Sequence, residues 1–266
     1  MNSLINATKK HSLWLCFFVC LSIMVPAHGW DYAVGPSYHF FHYHETDDNN
    51  RTLNRETGYL YGIENRLLSN KSSYQFSLYL NWLAGRVDYK GKTQVGSNLT
   101  THTDQRIFRY GVSYESGPFS ETVPVLIETS LEGNSWRRDI LPIGNVSRLT
   151  EDYHWVLWKL GLGYAVKNQS WSIGMNQQFS AYMDIHSTSC TNTIRVFPKP
   201  EHGWYLAWRR KQNSFYGYDA SWSMAFETWG MKRSDNVQTT YCGIPISVHE
   251  PDNQTQLLSV SYRLHF

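Results

Sequence analysis

Asp184 and His186 have types and spacing that suggest chemistry. Two positions apart on an extended segment, they share a face. A carboxylate beside an imidazole can orient and activate a water or hydroxyl for attack. The alternation of this segment directs both inward, at the end where a long connection begins. Asp88, in Val87-Asp88-Tyr89-Lys90, is the nearest acidic counterpart, and Lys90 opposes that role. His186-Ser187 is a neighbour pair in a loop, unlike the spaced nucleophile and base of an acyl hydrolase. The simpler reading of Asp184 and His186 is a polar rim. A second cluster holds His39, His42, His44, Glu45, Asp47 and Asp48. His42 and His44 share a strand face opposite His39. Two imidazoles with an acid suit a divalent metal, although ordinary loop composition yields the same cluster. No cofactor is implied.

The elements that position these residues follow a period of two, the period of a strand rather than a helix. In 256–266, Leu258, Val260, Tyr262, Leu264 and Phe266 oppose Ser259, Ser261, Arg263 and His265. Similar alternation runs through 73–84, 171–183 and 214–229. Six further segments, 31–44, 57–68, 104–114, 123–132, 153–165 and 203–211, bring the count to about ten. Short connections at 69–72, 116–121, 167–170 and 212–213 alternate with long ones at 45–56, 90–103, 134–152, 185–202 and 230–255. This pattern predicts an all-β, antiparallel up-and-down transmembrane β-barrel with periplasmic turns, extracellular loops and both termini periplasmic. Closure is required because lipid offers no partner to a free backbone N–H or C=O.

The inward faces carry both signs: Glu64, Glu115, Glu128, Glu132, Asp219 and Glu227 against Arg66, Arg109, Lys159, Arg209 and Arg263. A barrel of ten strands has little lumen once side chains fill it. These charges are therefore expected to pair with one another and plug the barrel; a narrow polar pore is the alternative.

Residues 1–29 read as a cleaved export signal, leaving 30–266 as the barrel domain. Lys9 and Lys10 precede an apolar run from Leu13 to Val25, and small residues mark a cut after Gly29. Mean hydropathy is −0.46 although aromatics make up 15% of the chain, a combination suited to strands that alternate lipid-facing and polar residues. The chain has 24 Lys and Arg against 22 Asp and Glu. Removing the signal balances them, which disfavours a nucleic-acid binder. Of four cysteines, Cys190 and Cys242 remain after cleavage, and an exported pair reads as a disulfide.

Several stretches carry a family resemblance: Glu56-Thr57-Gly58-Tyr59-Leu60-Tyr61-Gly62-Ile63, Gly85-Arg86-Val87-Asp88-Tyr89-Lys90-Gly91, Trp158-Lys159-Leu160-Gly161-Leu162-Gly163-Tyr164 and Glu250-Pro251-Asp252-Asn253-Gln254-Thr255. Together they resemble a family of small bacterial outer-membrane β-barrels of unassigned activity. That resemblance implies fold and location and supplies no catalytic residues. The Asp184-x-His186 pair separately resembles that of the omptin proteases, also ten-stranded barrels. There the pair works with two acids on a facing loop; here the second acid is missing. Phe266 in the last strand resembles the terminal aromatic by which outer-membrane proteins reach the insertion machinery.

The leading expectation is a non-enzymatic, integral outer-membrane protein that displays surface loops. Its expected partners are outer-membrane lipid, lipopolysaccharide and the insertion machinery. A narrow channel for small solutes is the second reading, and an omptin-like hydrolase at the Asp184/His186 rim the third.

Overall fold

The computed structural model describes residues 30–70, 74–92, 97–118, 124–188, 190–215 and 217–266. The export signal expected over 1–29 lies outside them. Ten long strands form the barrel: β1 (Trp30–Thr46), β2 (Thr52–Asn70), β3 (Tyr74–Lys92), β4 (Asn98–Ser116), β5 (Val125–Ile140), β6 (Leu149–Val166), β7 (Gln169–Ser187), β10 (His202–Phe215), β11 (Tyr218–Lys232) and β14 (Asp252–His265). Four short strands decorate the loop end: β8 (Cys190–Val196), β9 (Lys199–Pro200), β12 (Val237–Tyr241) and β13 (Ile244–Val248).

Each barrel strand pairs antiparallel with its chain neighbours, β7 pairs with β10, β11 with β14, and β14 returns to β1. The sheet therefore closes and presents no free edge to lipid. Both ends of the barrel domain lie together, where the Phe266 amide donates to the Tyr32 carbonyl at 2.8 Å. At one position closure admits no side chain: a Cβ on Gly35 would stand 1.7 Å from the Tyr262 carbonyl oxygen.

The strands run further at the loop end than hydropathy alone suggests. The connections expected at 90–103, 134–152 and 185–202 are largely strand. Beyond the lipid, a strand no longer needs apolar residues on its outer face, so the alternation fades while the backbone ladder continues. β8 shows this most directly. Asp184 pairs with Arg195 and Gln177 with His202, so β8 and β10 lie in one register along β7. The turn expected at 212–213 is strand as well, since Phe215 pairs with Tyr218 around Gly217.

Outward positions carry a band of exposed apolar and aromatic residues, among them Tyr38, Tyr59, Trp82, Tyr110, Trp158, Ile173, Met175, Trp204 and Met224. Their exposure is what a lipid-facing surface requires. The buried core is inside the barrel: Phe41, Leu60, Leu83, Ile107, Trp136, Trp155, Leu157, Trp229 and Leu257 belong to one packed cluster.

Candidate functional site in the barrel lumen

Inward side chains follow one order from the turn end to the loop end. On β2 the order is Glu64, Leu60, Glu56. On β5 it is Glu128, Glu132, Trp136, Arg138, and on β6 Lys159, Leu157, Trp155, Tyr153, Glu151. All of these are buried except Lys159, which is half-buried. Charge, apolar layer, charge is thus repeated around the wall.

The turn-side layer holds most of the lumen charges. Arg109 Nη2 lies 2.9 Å from Glu132 and 2.8 Å from Glu227. Lys159 reaches the same two acids at 3.4 and 2.6 Å. Arg209 sits 2.6 Å from Glu115 and 2.8 Å from Glu128. Arg263 lies 3.2 Å from Glu64 and donates to Ser223 at 3.1 Å. Arg66 makes no ion pair among the described residues and rests over the Tyr79 ring, 5.5 Å from its centroid. Asp219 keeps the inward phase of Ser221, Ser223 and Glu227 on β11 and is exposed at the turn end. A cavity of about 180 Å³ runs between these groups.

The middle layer is aromatic. Trp136 packs on Phe41, Tyr43, Tyr153 and Trp155, and Trp155 stacks on Trp229 at 6.3 Å. Above it Arg138 is enclosed completely. It contacts Glu56 at 2.8 Å, Glu151 at 2.5 Å and Glu45 at 3.1 Å, and donates to Tyr43 and Tyr153. The Tyr153 hydroxyl donates in turn to Glu250 at 2.8 Å, and Asn253 donates to the same oxygen. Ending β5 at residue 132 hides this cluster from the sequence. Trp136 and Arg138 continue the phase of Glu128 and Glu132, and that phase is the signal that finds them.

Asp184 and His186 face away from the lumen, contrary to expectation. Val156 pairs with Ser180 but Leu157 with Gln178, so Phe179 is an unpaired bulge residue. One extra residue exchanges the two faces beyond it. Met183 is therefore buried in the core and Ile185 packs against it, while Asp184 and His186 join the outer face. Asp184 is held by Arg195 through two hydrogen bonds of 2.6 Å. His186 lies 3.5 Å from Asp152 and 3.1 Å from Thr193. Asp88 is on β3, four strands away, and is exposed beside His102 at 3.2 Å. These three residues do not form one site.

His42 and His44 lie on one face with ring centroids 5.7 Å apart, and His39 is buried between Ser37 and Ser259. Among the described residues no group of three or more His, Cys, Asp or Glu is placed to hold a metal. Cys242 and Gly243 both have positive φ at the tip of the β12–β13 hairpin, as a two-residue turn of this hand requires. The side chain of Cys190 lies outside the described residues.

The outer membrane protease OmpT from Escherichia coli has a similar structure, with a TM-score of 0.51 and 8% identity over 89% of this chain and 96% of that one. The fold is that of an outer-membrane β-barrel. The translocator domain of the autotransporter NalP from Neisseria meningitidis gives 0.49 at 8% identity, covering 98% of both chains. The toluene transporter TodX from P. putida gives 0.40 at 10% identity, covering 91% of both. At such identities the likeness concerns fold alone. No protein-family model and no curated protein matches the sequence.

Proposed function

We propose that this chain is an integral outer-membrane barrel of a Gram-negative bacterium that does not conduct and acts through the surface it presents at its loop end. The turn end then faces the periplasm, after export directed by residues 1–29 and insertion aided by Phe266. The observation that carries this reading is the double closure of the lumen. An aromatic layer around Trp136 is topped by Arg138, whose side chain has no exposure. A continuous water path past both would need the core to open, and close-packed interiors resist that.

Planar bilayer recording tests the reading. The expected result is no conductance above leak for the wild type and small openings for a Trp136→Ala, Trp155→Ala double variant. Steady single-channel steps in the wild type would overturn it in favour of a narrow channel. A hydrolase at Asp184/His186 has less support, since Arg195 occupies the carboxylate.

The outer face supports lipopolysaccharide as a partner. Arg106 and Arg137 are directly opposite across β4 and β5, and Arg55 faces Lys90 across β2 and β3. All four are exposed, just beyond the aromatic band. Like charges directly opposite are unfavourable. Arg137 has Asp139 at 3.3 Å; Arg106, Arg55 and Lys90 have no ion pair among the described residues, and phosphorylated glycolipid headgroups would supply one. A Cys190–Cys242 disulfide is also part of the proposal. It is supported by Asn192, which donates to the Thr240 carbonyl at 3.2 Å, two residues from each cysteine.

A further inference from the structure

Charge is divided unevenly within the turn-side cavity. Arg109 and Lys159 share two carboxylates, and Arg209 has two. At the wall formed by β14, β1 and β2 the ratio reverses. Arg66 and Arg263 both line the cavity, and among the described residues Glu64 is the one carboxylate that pairs with either, bonded to Arg263. Arg66 has no ion pair among the described residues. The Nε–H groups of Arg66 and Arg263 are buried without any hydrogen-bond partner, and so is the side-chain oxygen of Asn81, which stands opposite Glu64 in the register. Arg263 is only 5% exposed. Arg66 is half-buried, and a guanidinium that has lost part of its hydration without gaining a counter-charge has nothing to replace it.

We propose that the Arg66–Arg263 wall is a binding site for a small oxyanion, a carboxylate or phosphate. The guanidinium fork presents paired donors at the spacing of two oxygens on one carbon or phosphorus. Arg263 has its two terminal nitrogens on Glu64 and Ser223, so it contributes positive charge to the site and Arg66 supplies the fork. The cavity volume of about 180 Å³ limits the ligand to a few heavy atoms beyond the anionic group. Leu83, part of the packed cluster that holds the aromatic layer, lines the loop-side end of the cavity, so the ligand enters from the turn end. This site is independent of any loop-end role.

The test uses the full barrel in detergent micelles, with sodium phosphate and sodium acetate compared against sodium chloride at equal ionic strength. Calorimetric titration and the thermal unfolding midpoint are read for the wild type, Arg66→Gln and Arg66→Lys. The wild type should bind phosphate, acetate or both saturably, with a midpoint rise absent in chloride; the two arms separate a phosphate from a carboxylate ligand. Arg66→Gln should weaken binding about ten-fold or more while its midpoint in chloride does not fall, because an uncompensated charge has been removed. Arg66→Lys, which keeps the charge without the fork, should bind with intermediate affinity. Equal midpoints for the wild type in all three salts, or full binding by Arg66→Gln, would overturn the proposal. A conductance seen in bilayers would refute the closed-lumen reading and leave these binding results standing.

Discussion

Arg138 and Glu56 face one another at 2.8 Å with no exposure of either side chain. Glu151 and Glu45 share the same guanidinium, so three carboxylates depend on this one cation, outside the lipid zone. Arg138→Gln should destabilise the barrel by about 3–5 kcal/mol, because the acids lose their counter-charge in a dry site. Urea unfolding in micelles, followed by tryptophan fluorescence, measures this. A loss below about 1 kcal/mol, the scale of an exposed pair, would mean that water reaches the cluster.

Glu250 ties the loop between β13 and β14 to the barrel mouth. Its carboxyl accepts from Tyr153 and Asn253, and its amide donates to Ser234. Burial, with Glu45 and Glu151 nearby, pushes this carboxyl well above the usual range. A folded value above the unfolded one means that protonation favours the docked loop. The contribution is complete below the ordinary glutamate range and is lost as pH rises through the raised value. Hydrogen exchange across 233–251 should therefore be faster at about pH 9 than at about pH 6 beyond the intrinsic chemical rate. Glu250→Gln keeps both accepted hydrogen bonds and should flatten that difference; an unchanged pH response in the variant would refute the assignment.

Orientation is checked by epitope insertion. A tag at Gly243, the tip of the β12–β13 hairpin, should be stained on intact cells. One at Gly217, between β10 and β11, should be stained only after the outer membrane is permeabilised. The reverse pattern would invert the barrel.

Phe266 is joined to Tyr32 by two backbone hydrogen bonds, and its ring packs 5.0 Å from that of Tyr218. Deleting it removes the last rung between the first and last strands and one interface aromatic. The yield of heat-modifiable protein in the outer membrane should fall several-fold. Undiminished assembly would show that neither contact matters.

The strand count and the lipid-facing residues were legible because lipid enforces alternation: Trp171, Ile173 and Met175 are apolar in strict turn and all are exposed. Legibility fades where that pressure stops. Arg138 stands beyond the band, where outer-face residues such as Arg137 and Asp139 are polar like the inner ones. Hydropathy cannot then separate the two faces, and the strand looks like a loop. Asp184 and His186 were misplaced for a different reason. The bulge at Phe179 leaves no mark in composition, since a lone phenylalanine fits either phase; the register with β6 alone reveals it. Partners inside the lumen were unreadable in detail, because Arg109 and Glu227 are 118 residues apart and meet only through closure.

The extra residue at Phe179 also makes β7 the place where a small genetic change would have the largest topological effect. An in-frame deletion of that codon would restore uninterrupted pairing with β6. It would draw Asp184 and His186 into the barrel and expel Met183 and Ile185 toward the solvent side. The other nine barrel strands would keep their sequence and β8 would shift its register along β7, yet the mouth would gain an acid and an imidazole where it now has a thioether and an isoleucine. Inside and outside at this rim thus differ by a single insertion.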